Sequence, residues 1–480
     1  MANKDLADAL NSGLKVSVPS LVTMATNKNQ TPTYPSNCLA FLNPPTETPV
    51  QIAQVCMRIV VVGAGLGGLA TAIALASSGH TVTVYEQAPE LGEVGAGIQI
   101  PSNSTKWLKK FGLDSYLKDY ITEPEAMAFR RWQTGQVIGL TRLIPEFRTM
   151  FGAPYYVIHR ANFHSALHQR AVDLGVTVKL ASRVVSYETH GPSIELADGS
   201  FVSADLVVAA DGVKSIARGF IHESGNRLPE RTGFAAYRAT VDVARIKADP
   251  DLAWLLEKSS LNLWVGDQRH VMTYTIGGGK SFNMVLSHPD NTDPSTWDQT
   301  TALSDMRREF QGWDARLQKI ISFIEKTLKW PLMSCVPMTR WTNNKTVILG
   351  DAAHAMLPYM SQGAAMAVED GVALARSLSK ISSTSEILRA LAVFEQVRIE
   401  RSGMMQEASL LNGKLWHFPD GPLQQARDEA MRPETLGIPF SHSPNQWSDP
   451  ATQMWCYGYD TEKEIDKIWE EGSAAGQSTF

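Results

Sequence analysis

The chain contains little cysteine, and its cysteines form no metal-binding pattern. Only four occur in 480 residues, Cys38, Cys56, Cys335 and Cys456, and no two of them make a CxxC pair. Scattered cysteines are typical of reduced thiols in a reducing compartment rather than of a disulfide scaffold or a zinc site. We therefore expect a cytoplasmic protein without a bound metal.

Long apolar runs and an excess of charge are missing too. No segment approaches the roughly 18 to 20 apolar residues that a membrane-spanning helix requires. The formal net charge of −5 offers no overall attraction for nucleic acid or an anionic membrane. The 44% hydrophobic and 19% charged content is that of a globular protein, and the length favours two or three domains. The expected partners are therefore small molecules, with a homodimer left open.

Residues 1–56 lack any helical or strand period. The stretch "TNKNQTPTYPSNCLAFLNPPTETPVQ" is rich in Pro, Thr and Asn, a composition typical of flexible chain. The segment has neither the charged start and apolar core of a secretory signal nor the arginines of a transit peptide. We predict a flexible N-terminal extension here.

The most informative motif is the glycine pattern Gly63-x-Gly65-x-x-Gly68. It follows the β-branched run at residues 59–62 and opens a stretch of small residues, and Glu86 ends the next strand-like run 18 residues after the last glycine. This order is typical of a βαβ dinucleotide-binding unit. The helix N-terminus offers N–H groups to phosphates, and the acid can accept hydrogen bonds from ribose hydroxyls. Because an acid disfavours a 2′-phosphate, the motif predicts FAD or NAD, with a ligand-free glycine turn as the alternative.

Three further stretches extend the predicted cofactor site. Residues 91–104, "LGEVGAGIQIPSNS", place small-residue turns, including Gly97, directly after the acid, which favours a loop around an extended cofactor. The strand-like "YYVIH" leads to Arg160, which could reach the cofactor; a surface arginine at a helix start is the alternative. Another strand-like run ends at Asp211-Gly212, and ligands of such sheets lie at the carboxyl ends of strands.

Three motifs in this order resemble the single-component (group A) flavoprotein aromatic hydroxylases of the para-hydroxybenzoate hydroxylase superfamily, and most of all the salicylate-hydroxylase-like enzymes. They are GxGxxG from Gly63, "DG" at Asp211-Gly212 and "GD" at Gly350-Asp351. The resemblance implies an α/β fold, with a Rossmann-type FAD-binding domain of the glutathione-reductase-like βαβ kind, an inserted mixed β-sheet substrate domain and C-terminal helices.

The same resemblance implies how the chain divides into domains. Residues 57–220 would form the first part of the FAD-binding domain, and residues 221–335 the substrate-binding β-sheet domain. Residues 336–415 would return to the FAD-binding domain with the GD motif and a helix. Residues 416–480 would form a C-terminal helical or irregular tail.

A set of FAD contacts follows from the resemblance: Gly63, Gly65, Gly68, Glu86, Gly97, Arg160, Asp211, Asp351, Gly363 and Ala364. Asp351 would hydrogen-bond a ribityl hydroxyl, and residues 358–363 would lie beside the flavin ring. The family often has Gly or Ala where this chain has Ser361, and whether its hydroxyl affects packing or substrate is left open.

Three polar residues near the GD motif have competing interpretations. His354 is either a catalytic group or a histidine whose hydrogen bonds are satisfied at a helix start. Glu369 and Asp370 are expected to face solvent or to cap the helix.

Substrate-binding residues are expected on strand-like segments. In "GFAAYRATVDV" alternation places Tyr237 and Arg238 on opposite faces, and in "HVMTYTI" it places His270, Met272 and Tyr274 on one face. Arg238 resembles the substrate-binding arginine of the salicylate-hydroxylase-like group and would hold a carboxylate or phenolate. Tyr274 would hydrogen-bond the phenol oxygen. The alternatives are a surface ion pair for the arginine and simple packing for the tyrosine.

The resemblance implies a FAD-dependent monooxygenase that consumes NADH or NADPH and uses O2 through a flavin C4a-hydroperoxide. The favoured substrate is a phenolic aromatic acid of the salicylate or hydroxybenzoate type, with decarboxylation where the attacked carbon bears the carboxylate. The first alternative is hydroxylation, including dearomatisation, of a larger phenolic or polyketide-type intermediate. The others are a FAD oxidase or dehydrogenase without oxygen insertion, and an inactive nucleotide-binding regulator. NADH and NADPH are not distinguished by the sequence.

Overall fold

A computed structural model of the chain describes residues 49–92, 96–188, 191–221 and 228–477. Residues 1–48 of the predicted extension, Cys38 among them, lie outside the described residues. In the described ranges the strands are β1 (Arg58–Val62), β2 (Thr81–Tyr85), β3 (Gly97–Ile100), β4 (Ala126–Arg131), β5 (Val137–Arg142), β6 (Tyr156–His159), β7 (Thr177–Lys179), β8 (Val184–Glu188), β9 (Ser193–Leu196), β10 (Phe201–Ser203), β11 (Leu206–Ala209), β12 (Glu230–Asp242), β13 (Ser260–Gly266), β14 (Arg269–Ile276), β15 (Ser281–Pro289), β16 (Leu328–Ser334), β17 (Thr342–Asn343) and β18 (Thr346–Ile348).

The helices of the same ranges are α1 (Leu66–Ser77), α2 (Ser102–Lys110), α3 (Asp114–Leu117), α4 (Glu146–Phe151), α5 (Arg160–Asp173), α6 (Ala217–Ile221), α7 (Val243–Lys247), α8 (Trp254–Glu257), α9 (Ala302–Glu309), α10 (Ala315–Ser322), α11 (Asp351–His354), α12 (Gly363–Leu378), α13 (Ile387–Trp416), α14 (Pro422–Leu436), α15 (Pro450–Tyr457) and α16 (Thr461–Gln477). Short 3₁₀ turns occur at Pro294–Thr296, Pro358–Met360 and Thr384–Glu386. No helix in this described part of the chain has the length and apolar character needed to cross a bilayer.

A six-stranded sheet forms around the glycine motif. Its strand order is β17-β18-β11-β1-β2-β7, and every pairing is parallel except that of the edge strand β17. Residues 59–62 and 206–209 are buried, as expected for β-branched strands covered by helices on both faces. The parallel direction brings the carboxyl ends of β1, β11 and β18 to one edge, where the three motifs follow.

Helices α1 and α12 pack against each other on this sheet. They approach closely at Gly371, where a Cβ atom would lie 2.8 Å from Thr71 Cα. A larger residue would push the helices apart. Glycine here therefore helps to bring the start of each helix to the same side of the sheet.

A seven-stranded sheet has the order β16-β12-β15-β14-β13-β4-β5. Strands β13, β14 and β15 are antiparallel, and β14 turns into β15 at glycines with positive φ, Gly277 to Gly279. Strands β4 and β5 belong to this sheet although they fall within residues 57–220, the range predicted for the first part of the FAD-binding domain. One face packs on α9 and α10 through Tyr237 and Trp264, and the other faces the cavity described below.

The C-terminal helices pack against both parts of the fold. The 30-residue helix α13 packs along α12, and α14 covers the edge strand β5. Two small sheets, β10-β9-β8 and β3-β6, complete the strand pairing of the described residues. The arrangement confirms the predicted α/β class with a parallel nucleotide-binding-type sheet, a second mixed sheet and C-terminal helices.

Candidate active site

A cavity of about 350 Å³ opens where the edge of the six-stranded sheet meets a face of the seven-stranded sheet. The first sheet contributes the loops after β1, β11 and β18, and the second contributes side chains of β12, β14 and β15. The predicted site residues that line it are Gly65, Gly97, Arg160, Arg238, Tyr274, Asp351, Gly363 and Ala364. The structure thus brings together residues that are almost 300 positions apart in sequence.

The three glycines of the first motif have different surroundings. A Cβ at Gly63, whose φ is +99°, would lie 2.4 Å from the carbonyl oxygen of Ala210, and one at Gly68 would lie 2.0 Å from the carbonyl oxygen of Gly63. These two glycines let β1, β11 and α1 approach closely. Gly65 has no atom within 4 Å of its Cβ position and borders the cavity. Gly63 and Gly68 therefore shape the turn, and Gly65 leaves room above it.

Two helix N-termini meet at this cavity. Helix α1 follows Gly65 and helix α12 follows Gln362, and neither capping residue gives its helix a side-chain hydrogen bond. The first-turn N–H groups of such helices carry partial positive charge and attract anionic groups. Gly363, the first residue of α12, has open space at its Cβ position. The cavity is therefore suited to a ligand with negative charge at two places.

Glu86 holds the glycine turn. Its Oε2 accepts a hydrogen bond from the Ala64 amide at 2.7 Å, and its Oε1 accepts one from the Ala88 amide at 2.9 Å. The half-buried carboxylate is thereby fixed at the end of β2, beside the motif. Its contact with a ribose stays a prediction.

The DG and GD motifs are joined by an arginine. Asp211 accepts hydrogen bonds from the Tyr187 hydroxyl at 3.2 Å and from two backbone amides that follow it. Arg218, 1% exposed, donates from Nε to the Ala352 carbonyl at 3.0 Å and from Nη2 to the Asp351 carbonyl at 3.2 Å. Asp211 thus organises its own turn, and its predicted cofactor contact remains a prediction. Arg218 had no role predicted from sequence.

The GD turn is supported from below by Asp370. Gly350 adopts φ +61°, and its amide donates to Asp370 Oδ2 at 2.9 Å. The same oxygen lies 2.7 Å from His354 Nε2, and the imidazole is 1% exposed beside the Trp341 ring. His354 Nε2 is therefore bonded to Asp370, whereas its buried Nδ1 has no hydrogen-bond partner among the described residues. The interpretation of His354 as a fully hydrogen-bonded histidine holds for one ring nitrogen only. Asp351 itself is exposed at the cavity, as its predicted role requires.

The expectation that Glu369 and Asp370 face solvent or cap the helix is wrong. Both are completely buried, and Arg398 of α13 donates to them at 2.7 and 2.8 Å, while Arg401 lies 3.3 Å from Glu369. Burial alone would raise the pKa of each carboxyl, but the neighbouring arginines and His354 outweigh it and lower the pKa of both. The sequence shows two acids on a helix but not the arginines that a second helix brings to them.

The same buried cluster extends to the residue that precedes α12. Asn103 Nδ2 donates to Gln362 Oε1 at 2.9 Å and to Glu369 Oε1 at 2.7 Å. Gln362 Nε2 in turn donates to Cys456 Sγ at 3.0 Å, and burial raises the pKa of that thiol to about 12. Gln362, which precedes α12, is therefore held by polar contacts from two other helices, α2 and α15. No motif in the sequence indicated this role for Asn103 or Gln362.

Arg238 and Tyr274 lie on the cavity face of the second sheet. Burial lowers the pKa of the half-buried Arg238 guanidinium, Tyr274 raises it and Arg160 lowers it. Within the described ranges the Arg238 side chain has no hydrogen bond or ion pair. Burial also raises the pKa of Tyr274, which keeps the phenol protonated. A cation without a protein anion beside it is suited to an anionic ligand.

Gly97 makes room for the Tyr274 ring. A Cβ at Gly97 would lie 2.4 Å from Tyr274 Cε2, and the Gly97 amide donates to Asn283 Oδ1 at 2.7 Å. This glycine therefore brings strand β3 onto the second sheet. Its predicted cofactor contact is not tested by this packing.

Ser361 adopts a left-handed backbone conformation, with φ +56° and ψ +30°. Its hydroxyl donates to Tyr155, whose hydroxyl donates to Gln99 Oε1 at 2.6 Å. Ser361 and Gln99 both line the cavity. Through Tyr155, the Ser361 hydroxyl thus links the loop before α12 to β3. This contact is a packing role for the hydroxyl.

A parallel sheet, a glycine turn and two uncapped helix N-termini at one cavity define a dinucleotide-binding enzyme, and sequence comparison identifies which kind. Residues 56–398 match the family described as FAD binding domain. The chain is 36% identical over 408 residues to the FAD-dependent monooxygenase OpS4 of Beauveria bassiana, covering 84% of this chain and 95% of that protein. It is 34% identical to a 6-hydroxynicotinate 3-monooxygenase of Pseudomonas fluorescens, over 73% of this chain and 90% of that one.

Among solved structures, a salicylate hydroxylase in complex with its substrate superposes with a TM-score of 0.70 at 24% identity, covering 87% of this chain and 98% of that one. This likeness concerns the fold. The sequence comparisons show that the chain belongs to the FAD-dependent monooxygenases of the para-hydroxybenzoate hydroxylase superfamily. It is a FAD-dependent monooxygenase.

The residues present fit FAD. Gly65, Gly212 and Gly363 leave open space where any other residue would place a Cβ, so the backbone offers a cradle along the first sheet. The N-terminus of α1 suits the pyrophosphate, and that of α12 suits the pyrimidine edge of a flavin, where negative charge gathers on reduction. When bound, FAD supplies the activation of O2 that no amino-acid side chain provides.

Proposed function

We propose that this enzyme hydroxylates a phenolic aromatic acid, with NADH or NADPH as the electron donor. One atom of O2 would enter the ring as a hydroxyl group and the other would leave as water, with two electrons from the nicotinamide and one added proton. Hydroxybenzoates are the simplest members of this substrate class. Where the attacked carbon carries the carboxylate, CO2 would be lost.

The observation that carries the proposal is the unpaired Arg238 guanidinium at the cavity. Its charge is held in a half-buried place without a carboxylate partner in the described chain, which costs free energy until an anion binds. Tyr274, beside it, would hydrogen-bond the phenol oxygen with a hydroxyl that burial keeps protonated. These two residues would orient the ring, and the apolar Met272 and Val285, which also line the cavity, would exclude water.

The remaining predicted residues are proposed as cofactor contacts. Asp351, exposed at the cavity, would hydrogen-bond the ribityl chain, and Glu86 would reach the ribose beside the glycine turn. Arg160 would contact the cofactor from the start of α5. The domain boundaries given above are proposed in the same way.

A direct test uses the purified protein. Flavin absorbance should accompany the protein, and NADH or NADPH oxidation should accelerate in the presence of a phenolic acid. In ¹⁸O₂, one labelled atom should appear in the product. Nicotinamide oxidation that yields only hydrogen peroxide, with no labelled product from a broad set of phenolic acids, would reject the hydroxylase assignment; absence of flavin would reject it altogether.

A further inference from the structure

A pair of histidines lies at the far end of the cavity from Tyr274. His270 is on the cavity face of β14, four residues before Tyr274, and lines the cavity. Its Nδ1 is 2.8 Å from Nε2 of His417, and the two ring planes differ by 20°. The rings therefore share one in-plane hydrogen bond. Within the described ranges, His270 Nε2 has no hydrogen bond to the protein, and it belongs to a side chain of the cavity wall.

The two ends of β14 have different neighbours. At one end Tyr274 packs on Gly97. At the other end the His270 ring lies 5.3 Å from the Tyr359 ring and 5.1 Å from that of Trp416. Trp416 in turn lies 5.0 Å from Trp447, and both tryptophans line the cavity. The His270 end is therefore a compartment of aromatic rings around one imidazole. Arg238 lies opposite Val285, in the same cross-strand row as Met272, and its guanidinium interacts electrostatically with Tyr274.

The distance between the ends exceeds one aromatic ring. Four residues of strand span about 13 Å, and strand side chains stand roughly perpendicular to the sheet, so His270 and Tyr274 do not converge on one small ligand. Met272 lies between them on the same face, opposite Val285. The cavity face of β14 therefore presents a polar residue, an apolar residue and a polar residue in turn: His270, Met272 and Tyr274.

The histidine pair is neutral. Burial is the main cause that lowers both pKa values. That of His270 falls well below its ordinary value through burial and the proximity of His417, and that of His417 falls to about 3 through burial and the positive charge of Arg427. Arg427 is itself bonded to Asp428 and to the Leu415 carbonyl, and Tyr359 faces His270 as a protonated phenol. One proton lies between the rings, and its position makes His270 Nε2 a donor or an acceptor.

We infer that the substrate is longer than a single hydroxybenzoate ring, and that it carries an apolar segment ending in a neutral polar group, a hydroxyl or carbonyl, that hydrogen-bonds to His270 Nε2. This inference rests on the proposed function, since it places the acidic ring at Arg238 and Tyr274. A neutral pair that donates or accepts would recognise a hydroxyl or a ketone but would give no charge to a second carboxylate. Among the substrate classes considered above, it favours the larger phenolic compounds.

The test measures ligand binding to the FAD-loaded enzyme without nicotinamide, by the change in flavin absorbance. The probes are two 2,4-dihydroxybenzoates with chains of equal length at carbon 6, one ending in a methyl ketone and the other in an alkyl group. The ketone should bind about threefold to tenfold more tightly than the alkyl probe, the worth of one hydrogen bond. This comparison uses the unmodified enzyme and depends on no variant.

Variants locate the effect. His270→Phe should remove the preference for the ketone. His288→Phe is the matched control, because His288 is also a buried histidine of this sheet but stacks on Tyr237, outside the cavity; it should keep the preference. Equal binding of the two probes to the unmodified enzyme, or loss of the preference in both variants, would overturn the inference.

Arg238→Met separates this inference from the proposed function. It should weaken both probes by the same factor and leave the ratio between them unchanged. If Arg238→Met leaves the affinities for both probes unchanged, Arg238 does not bind the carboxylate and the proposed function is rejected, whether or not the enzyme prefers the ketone. If it weakens both while the unmodified enzyme shows no ketone preference, only the inference about His270 fails.

Discussion

The two walls of the cavity differ in how they are built. The wall of the six-stranded sheet presents backbone, with glycines at Gly65 and Gly363 and two helix N-termini. The wall of the seven-stranded sheet presents side chains, such as Arg238 and Tyr274. The first suits a cofactor shared by many enzymes, and the second suits a particular substrate. Changes in the first wall should therefore affect FAD and folding, and changes in the second should affect ligand choice.

Helix α12, which begins at the first wall, is joined to α13 by the buried cluster of Glu369, Asp370, Arg398 and Arg401. Arg398→Met should be the most damaging change, because it leaves two buried carboxylates short of a partner, a loss that costs about 3–5 kcal/mol of unfolding free energy. Denaturant unfolding measures it. The matched control is Arg389→Met on the same helix, whose pair with Glu386 is partly exposed and should cost no more than about 1 kcal/mol. Equal losses in the two variants would show that the cluster does not hold the fold.

Within the cofactor wall, Gly68 and Gly65 should respond differently to the same added methyl group. Gly68→Ala forces a Cβ against the Gly63 carbonyl and should lower the unfolding free energy of the apoprotein by about 1–3 kcal/mol. Gly65→Ala meets no atom within 4 Å, so the apoprotein should keep its stability while FAD affinity falls. Unfolding of the apoprotein and a flavin titration measure the two effects. A stable Gly68→Ala protein with normal flavin affinity would contradict the packing described for α1.

The smallest effect is expected at Ser361. Its left-handed backbone favours glycine, and Ser361→Gly and Ser361→Ala both lose the hydrogen bond to Tyr155. The difference between the two variants therefore reports the backbone alone, and the alanine variant should be less stable by about 1 kcal/mol. Paired thermal melts are sufficient. An alanine variant as stable as the glycine variant would mean that the loop before α12 relaxes to another conformation.

The same contrast explains what the sequence could reveal. Contacts made through the backbone require glycine at fixed spacing. The sequence therefore predicts the turn at Gly63 to Gly68 and the GD motif. The family that these motifs resemble implies the α/β class. Contacts made through side chains depend on pairing between distant segments. Glu369 and Asp370 were placed on the wrong side of their helix because nothing local shows that Arg398 meets them.

The surroundings of His270 could not be predicted from the sequence either, because they also depend on pairing between distant segments. Alternation along β14 correctly grouped His270 with Tyr274, since strand period is a local property. His417 and Trp447 come from residues 416–480, predicted only as a helical or irregular tail, and a tail carries no pattern that says which cavity it lines. Strands β4 and β5 likewise join the second sheet through pairing with β13, which no local signal specifies.

The most direct test of the division between the walls is a pair of titrations on Arg238→Met and the unmodified enzyme. Flavin retention should be the same in both proteins. The variant should bind a hydroxybenzoate at least about tenfold more weakly, the worth of a charge-assisted bond, yet bind the corresponding phenol without a carboxylate almost normally. If the variant loses FAD, or if it binds both ligands as the unmodified enzyme does, then Arg238 does not hold the acid group of the substrate and the assignment of the second wall is wrong.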